Sequence, residues 1–333
     1  MHVDDCAPIL TVAIPSYNVE RYLAHGLASY DDDRLEGRIE VLVIDDGSSD
    51  GTRGIADSFA LRRPSIFRVI SQKNAGHGGA VNTGLREARG VYFRVVDGDD
   101  WVNTDGLVDL CKRLVHLDAD VVIDKKREVH MGTGESRLFE LAGSPLLDAA
   151  IPFQSVCCDR DLLSQSMIHT LTVRTAFARA AGVLLLEHTF YEDFEFVVKC
   201  TAPAQTIAFE DIEVYQYLVG NASQSVSHEN YVKRWEDHTR VVDAMLDYLD
   251  SCGLEGVALE YLRYKIRLLV HTHYNIALLF DADRSRGRAR AKVFRRMLRS
   301  RDTALAKETD ARYLSALTLN VLHLSYARPR KNV

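Results

Sequence analysis

The sequence predicts an α/β fold, a mostly parallel sheet flanked by helices, followed by a helical C-terminal region. Three observations predict it. Short apolar, β-branched runs alternate with helical stretches of about 10–15 residues, the pattern of parallel βαβ units. Four of those runs stop abruptly on polar, glycine-rich or acidic residues. From Tyr231 onward the apolar spacing turns almost wholly helical.

In chain order, residues 9–14 (ILTVAI) read as a buried strand ending at Pro15, and residues 39–44 (IEVLVI) as a second ending at Asp45-Asp46. Between them Tyr22, Leu23 and Leu27 have helical spacing, and Ile55, Phe59 and Leu61 mark another helix running toward Pro64. Residues 67–71 (FRVIS) form a third strand, 79–88 a helix and 91–96 (VYFRVV) a fourth strand closing on Asp97. A helix over 107–117 and a strand over 119–123 (ADVVI) follow, and 125–190 carries few periodic signals. A catalytic domain over 1–228 and a helical region over 229–333, basic from 284, is the expected organisation. No internal repeat is visible.

The chain of 333 residues is 47% hydrophobic and 26% charged, enough to bury a large core, which excludes disorder as its main state. No apolar run approaches the ~18–20 residues of a spanning helix, and Asp4 and Asp5 break any leader-like N-terminus. Six cysteines without a C-x-x-C pair argue against a disulfide framework or zinc knuckle. The expected location is therefore cytoplasmic. The net charge of −6 conceals an asymmetry: residues 284–333 hold fourteen Lys/Arg against three Asp/Glu, net +11, leaving −17 for the first 283.

In a parallel sheet ligands sit beyond the carboxyl ends of the strands. That edge would gather Pro15-Ser16-Tyr17, Asp45-Asp46, Lys73-Asn74-Ala75-Gly76 and Asp97-Gly98-Asp99-Asp100. Two aspartates two apart at a strand end suit a hard divalent cation, Mn²⁺ or Mg²⁺, and the diphosphate it neutralises. Acidic residues at such positions also serve as helix caps, as Asp100 before Trp101 would. The segment NAGHGGA lacks the third glycine of G-x-G-x-x-G at Val81, which disfavours a dinucleotide-dependent dehydrogenase.

The segments TVAIPSYNVERYL, VLVIDDGSSDGT, QKNAGHGGAVNTGL and VVDGDDW, in this order, resemble the family 2 glycosyltransferases with the nucleotide-sugar-binding GT-A fold, over about residues 9–125. The resemblance implies that Pro15 and Tyr17 border a uridine, that Asp45 or Asp46 hydrogen-bonds the uracil edge, and that Asn74 and Gly76 lie on the nucleotide-sugar side. It further implies that Asp97 reaches the ribose and shares the metal with Asp99, which holds it on the diphosphate. Where many relatives read A-R-N this chain has Ala80-Val81-Asn82, so Lys73 is the expected substitute for the missing arginine. The processive Q-x-x-R-W element is absent at Tyr231-Val232-Lys233-Arg234-Trp235, which favours transfer of a single sugar.

An inverting transferase needs a carboxylate to take the acceptor hydroxyl's proton. The segment YEDFEF is similar to the family's E-D element, so Asp193 is the expected base and Glu192 its neighbour in positioning or substrate binding. The Gly/Ser/Asn-rich stretch from Gly220 to His228 resembles an acceptor-side loop, with His228 as a possible third metal ligand. From Arg284 to Arg301 nine basic residues accompany Val293, Phe294, Met297 and Leu298 on one helical stripe, the pattern of an interfacial helix at an anionic membrane and equally of a solvated helix docked on the catalytic domain. The acidic remainder argues against nucleic acid. The expected activity is metal-dependent, inverting transfer of one sugar from a UDP-sugar to a glycan or lipid-linked acceptor for cell-surface polysaccharide, peripheral at the inner membrane face. The rivals are a catalytically silent glycan-binding or scaffold protein on the same fold, and a sugar-phosphate nucleotidyltransferase.

Overall fold

The computed structural model describes residues 7–141, 149–220 and 227–324 and divides into two compact units, Met1–Ala222 and Ser223–Val333. The sequence places that division at 228. Of the loop from Gly220 to His228, residues 221–226 lie outside the described residues, as do 325–333 of the basic tail.

The first unit opens with β1 (Leu10–Ser16), α1 (Glu20–Ala28), β2 (Ile39–Asp45), α2 (Thr52–Arg62), β3 (Phe67–Ser71), α3 (Gly76–Glu87) and β4 (Tyr92–Val95). β5 (Trp101–Val102), α4 (Thr104–Leu114), β6 (Val121–His130), β7 (Ser136–Phe139), β8 (Ile151–Pro152), β9 (Leu171–Arg174), α5 (Thr175–Ala180), α6 (Asp193–Thr201) and β10 (Thr206–Val219) follow. The sheet runs β3-β2-β1-β4-β9-β6-β10-β5, with β7 beside β6 and β8 beside β10. β3, β2, β1 and β4 are parallel neighbours, and β1 and β2 are buried along their whole length. Burial on both faces is why these strands read as unbroken apolar runs rather than alternating ones.

Beyond β4 the sheet is mixed. β9 is antiparallel to both β4 and β6, and β10 is parallel to β6 but antiparallel to β5 and β8. The strand expected over 119–123 continues to His130 because its charged second half is held by cross-strand ion pairs, Arg127 donating to both oxygens of Glu213 at 2.7 and 2.6 Å. Charges of that kind look like loop in a sequence.

A fully buried ion pair joins the two halves of the sheet. Arg94 of β4 donates to both oxygens of Asp124 on β6, to Thr172 Oγ1 of β9 at 3.2 Å and to the carbonyl of His169 at 2.6 Å. Burial nonetheless pushes the Asp124 carboxyl up to about 6, against the pull of Arg94.

The second unit comprises α7 (His228–Lys233), α8 (Trp235–Ser251), α9 (Gly256–Asn275) with a π-helical turn (Ile276–Phe280), α10 (Arg284–Arg301) and α11 (Thr303–Val321). Its core takes Val241, Val242 and Met245 from α8 and Leu262, Ile266 and Val270 from α9. At its centre His238 Nδ1 lies 3.0 Å from His273 Nδ1, both rings buried, and Trp235 stacks on His273 at 3.8 Å. Burial holds both imidazoles below their usual range, His238 at about 4.

The stripe on α10 resolves differently from the sequence expectation. Phe294 and Leu298 are buried, Phe294 edge-on to His273 and Tyr274, whereas Val293 is exposed. Most of the helix's arginines meet acidic or aromatic partners: Arg286 and Arg290 on Asp281, Arg295 and Arg299 on Asp310, Arg301 on Asp247 and Asp250, and Arg290 over Trp235. Half of the apolar stripe, Phe294 and Leu298, is spent on the unit's own core. Among the described residues no helix is long and apolar enough to cross a membrane.

Two stability predictions follow from these buried groups. Asp124→Asn leaves Arg94 as an uncompensated buried cation, and removing one partner of such a pair typically costs about 3–5 kcal/mol, so urea unfolding should show a loss of that size. For His238 and His273 the folded pKa lies below the unfolded one, so the unfolded chain binds more protons and stability declines as pH falls below about 6.5. Each imidazole then contributes a slope of up to about 1.4 kcal/mol per pH unit between there and its folded pKa. Carboxyls that burial raises, Asp124 among them, oppose this below about pH 6, so the check is a comparison by chemical unfolding from pH 7 to 5: the native protein should lose stability more steeply than a His238→Asn variant, and equal slopes would contradict the assignment.

Candidate active site

The four parallel strands deliver their carboxyl ends to one edge, and the order β3-β2-β1-β4 puts the reversal of strand order at β1, where open α/β sheets bind ligands. At the end of β1, Pro15 is buried and Tyr17 exposes its ring. The next residue, Asn18, has a left-handed backbone with φ 54°. Its Oδ1 accepts from the Ser49 N–H at 2.8 Å, joining this loop to the one after β2.

Asp45 and Asp46 turn inward. Asp45 Oδ1 accepts from the Ser48 N–H at 3.0 Å and Oδ2 from Ser71 Oγ at 3.0 Å. Asp46 accepts from the Ala75 and Gly76 N–H groups at 2.8 and 2.9 Å and from Gln72 Nε2 at 2.7 Å. A carboxylate on the first N–H groups of a helix is favoured by the helix dipole. Asp46, nearly fully buried with three donors, thus scaffolds the start of α3 rather than projecting toward a base. Asn74 supports the same turn, its Nδ2 donating to the Asp46 carbonyl at 3.0 Å, while Lys73 is exposed beside it.

Helix α3 starts at Gly76, three residues before the expected position, because the glycines are there for close approach. Gly76 has φ +78°, and a Cβ on it would lie 2.8 Å from the His188 nitrogen; on Gly78 it would lie 2.3 Å from the Leu186 carbonyl oxygen. The segment before α6 thereby lies directly on α3. It is fastened by the His188 N–H donating to the Ala75 carbonyl at 2.8 Å and by Asn82, whose amide exchanges two 2.9 Å hydrogen bonds with the Leu185 backbone. Two bulky residues of this segment, His188 (φ 48°) and Tyr191 (φ 74°), adopt left-handed backbone, a strain that clusters at functional sites.

This packing brings Glu192 and Asp193 to the strand edge. Glu192 is buried at the N-cap of α6, and Asp193 is the first residue of that helix. The imidazole of His77, in the first turn of α3, lies 2.7 Å through Nδ1 from Glu192 Oε1 and 3.0 Å through Nε2 from Asp97 Oδ1. Burial disfavours charge on His77, but the two carboxylates outweigh it and hold its pKa well above the usual range. Asp97 is held low for the reciprocal reason: burial opposes its charge, and the contact with His77 prevails. Asp193 is exposed to solvent yet crowded by protein around its carboxyl. That crowding first, then the Glu192 charge, pushes its carboxyl up to about 6.

Beside Asp97, Asp100 is buried, accepting from Tyr215 Oη at 2.6 Å and from the Leu218 N–H at 2.7 Å. It does not cap α4, whose cap is Asn103, accepting from the Gly106 N–H at 3.1 Å. Burial, then the charges of Asp97 and Asp99, hold the Asp100 carboxyl well above the usual range. His169, packed against Tyr215 and Tyr217, is held down to about 4 by burial, so its ring is neutral and able to ligate. Ligand atoms of Asp97, Asp100 and His169 all lie within 4.8 Å of one another. Two carboxylates and one imidazole form a donor set that a divalent cation can use.

The grouping differs from the expected Asp97, Asp99 and His228. Asp99 is half-buried next to it. His228 belongs to the second unit, where its ring stacks on Phe280 at 3.8 Å; within the first unit the histidine grouped with Asp97 and Asp100 is His169. Sequence reasoning also missed His77, although it stands inside the NAGHGGA segment, because its two partners, Asp97 and Glu192, lie 20 and 115 residues away and a lone histidine among glycines forms no pattern. His169 comes from the weakly periodic stretch and Tyr215 from β10 beyond it, and neither carries a local signal.

Residues 11–161 match the family model described as Glycosyl transferase family 2. Glycosyltransferase GlyA of Streptococcus pneumoniae is 39% identical over 266 residues, covering 78% of this chain and 36% of the relative. The chain spans about a third of the length of the curated relatives it matches. The structure of residues 1–349 of Staphylococcus aureus TarS in complex with UDP-GlcNAc superposes with a TM-score of 0.68 at 19% identity, covering 96% of this chain and 93% of that one. A mannosyltransferase of Pyrobaculum calidifontis in complex with GDP-Man and Mn²⁺ gives 0.52 at 17% identity, covering 95% and 88%. At those identities the structural likenesses concern the fold. The family model identifies the part of the chain that carries the site, residues 11–161, as a glycosyl transferase family 2 domain, and the structural likenesses give it the GT-A fold.

Proposed function

We propose that the protein transfers one sugar from a UDP-sugar, with inversion at the anomeric carbon, to a glycan or lipid-linked acceptor in cell-surface polysaccharide synthesis. The observation that carries this reading is the convergence of Asp97, at the end of β4, with Glu192 and Asp193, at the start of α6, through the shared contact on His77. One set of carboxylates belongs to the edge where a nucleotide binds, the other to a separate segment aimed at the same cleft. The UDP donor is favoured because TarS, the relative of highest structural likeness quoted above, binds UDP-GlcNAc.

In this reading the exposed ring of Tyr17 stacks on the uracil, with Pro15 behind it, and Lys73 faces the phosphates. Asp45 retains lone pairs beyond its two donors for the base edge. Asp97, with Asp100 and His169 and with Asp99 adjacent, would hold the Mn²⁺ or Mg²⁺, whose charge would stabilise the departing diphosphate. Asp193 takes the proton of the acceptor hydroxyl as its oxygen attacks the face opposite the diphosphate. A base poised near the working pH is the efficient one, and a carboxyl at about 6 is so poised. On α10 the outward Lys292 and Arg296, both exposed, leave charge as the means of meeting an anionic inner membrane face where a lipid-linked acceptor would lie.

Asp193→Asn should leave UDP affinity within a few-fold of the native protein while turnover drops ~10²–10⁴-fold, the share general-base catalysis supplies. In the native enzyme, kcat/KM should fall about tenfold per pH unit below about 6 as Asp193 protonates. Donor-panel turnover and pH profiles measure both, and an Asp193→Asn variant of full activity would end the assignment. Calorimetric titration with UDP should show tighter binding in Mn²⁺ than in EDTA, and Asp97→Ala should erase the difference. Equal affinity in both buffers for the native protein would exclude a metal on the diphosphate.

A further inference from the structure

His77 performs no part in the transfer as described, yet it makes the shortest link between the two halves of the site. The geometry points to His77 as a positioning residue that acts through Glu192: by anchoring the N-cap of α6 against the end of β4, it sets where Asp193 stands relative to the donor. The inference rests on the transferase reading above.

Three observations support it. Glu192 is the N-cap residue of α6, so a side chain tied at 2.7 Å to His77 Nδ1 restrains the first turn of the helix, whose first residue is Asp193. The second acid of that turn, Glu195, is tied as well, accepting from the Leu186 N–H at 3.2 Å and from Lys199 Nζ at 2.7 Å, so one anchor of α6 is on α3 itself and the other on the segment lying against it. His77 itself stands between Gly76 and Gly78, the two positions where a Cβ would strike the backbone of that segment. The imidazole therefore occupies the first helical turn at the point of closest approach. From there its two nitrogens reach carboxylates on different elements, Glu192 before α6 and Asp97 after β4.

A positioning role of this kind should show in turnover and not in donor affinity, because misplacing a catalytic group by about 1 Å costs on the order of 10²-fold. The two ring nitrogens allow a selective test. An asparagine amide places a donor near the Nδ1 position, facing Glu192, whereas a glutamine amide places one near Nε2, facing Asp97. If His77 acts through Glu192, His77→Ala and His77→Gln should lose on the order of 10²-fold in kcat, His77→Asn should keep most of it, and UDP affinity by calorimetry should stay within about threefold in all three.

Combining His77→Ala with Glu192→Gln should cost no more than the worse single change, since both break one link. The inference is overturned by a glutamine variant more active than the asparagine variant, by UDP affinity falling in step with turnover, or by losses that multiply in the double variant. A native protein that turns over no nucleotide-sugar overturns the transferase reading instead. Melting temperatures then decide the contact by itself: a His77→Asn protein that melts near the native one while His77→Gln melts lower keeps the link to Glu192, and equal losses remove it.

Discussion

The site depends on one close approach, that of the segment before α6 to the first turn of α3. Without glycine at 76 and 78 the backbones of His188 and Leu186 could not lie where they do. The N-terminus of α6 would then stand away from the strand edge, leaving Glu192 and Asp193 ordinary acidic residues at a helix start. The contact is fastened by Asn82 and by the His188 N–H, and it carries left-handed backbone at His188 and Tyr191. Strain of that kind persists only where surrounding contacts over-determine the chain, and here they do.

The same approach concentrates negative charge. Asp97, Asp99, Asp100, Glu192 and Asp193 share a region in which His77 is an embedded cation, and burial holds two of the carboxyls above their usual range, helped by Asp97 and Asp99 at Asp100 and by Glu192 at Asp193. A dianionic diphosphate entering such a cleft needs positive charge, and the neutral His169 among carboxylates is the arrangement that accepts a divalent ion. The buried Arg94–Asp124 pair contributes from beneath. By holding the His169 carbonyl it positions the neighbouring ring, so the junction between the parallel and mixed halves of the sheet also orders the site.

The parallel half was readable because buried strands are unbroken apolar runs and their ends are marked by Pro15, Asp45-Asp46 and Asp97. Asp97, Glu192 and Asp193 were legible as motif positions, and in the structure His77 bridges Asp97 to Glu192, the residue before Asp193. The mixed half was not readable. β6 continues through Lys125, Lys126 and Arg127, whose strand character comes from pairing with β10 and β7, partners distant in sequence. His169 gains its place from the Arg94 contact and from two tyrosines of β10, none of which is local. Asp46 and Asp100 were visible as acids, but their inward hydrogen bonds depend on the turn before α3 and on Tyr215. The α10 stripe was misleading for a related reason: an apolar stripe has one appearance whether it faces a membrane or, as for Phe294 and Leu298, the core of its own unit.

The most direct test of the account is a crystal structure of the protein soaked with UDP and Mn²⁺. The account predicts the uracil against Tyr17, the ion bound by Asp97 with Asp100, Asp99 or His169, and the β-phosphate turned toward the start of α6, leaving room for a sugar before Asp193. UDP bound away from the carboxyl ends of β1 and β4, or a β-phosphate pointing away from Asp193, would contradict it.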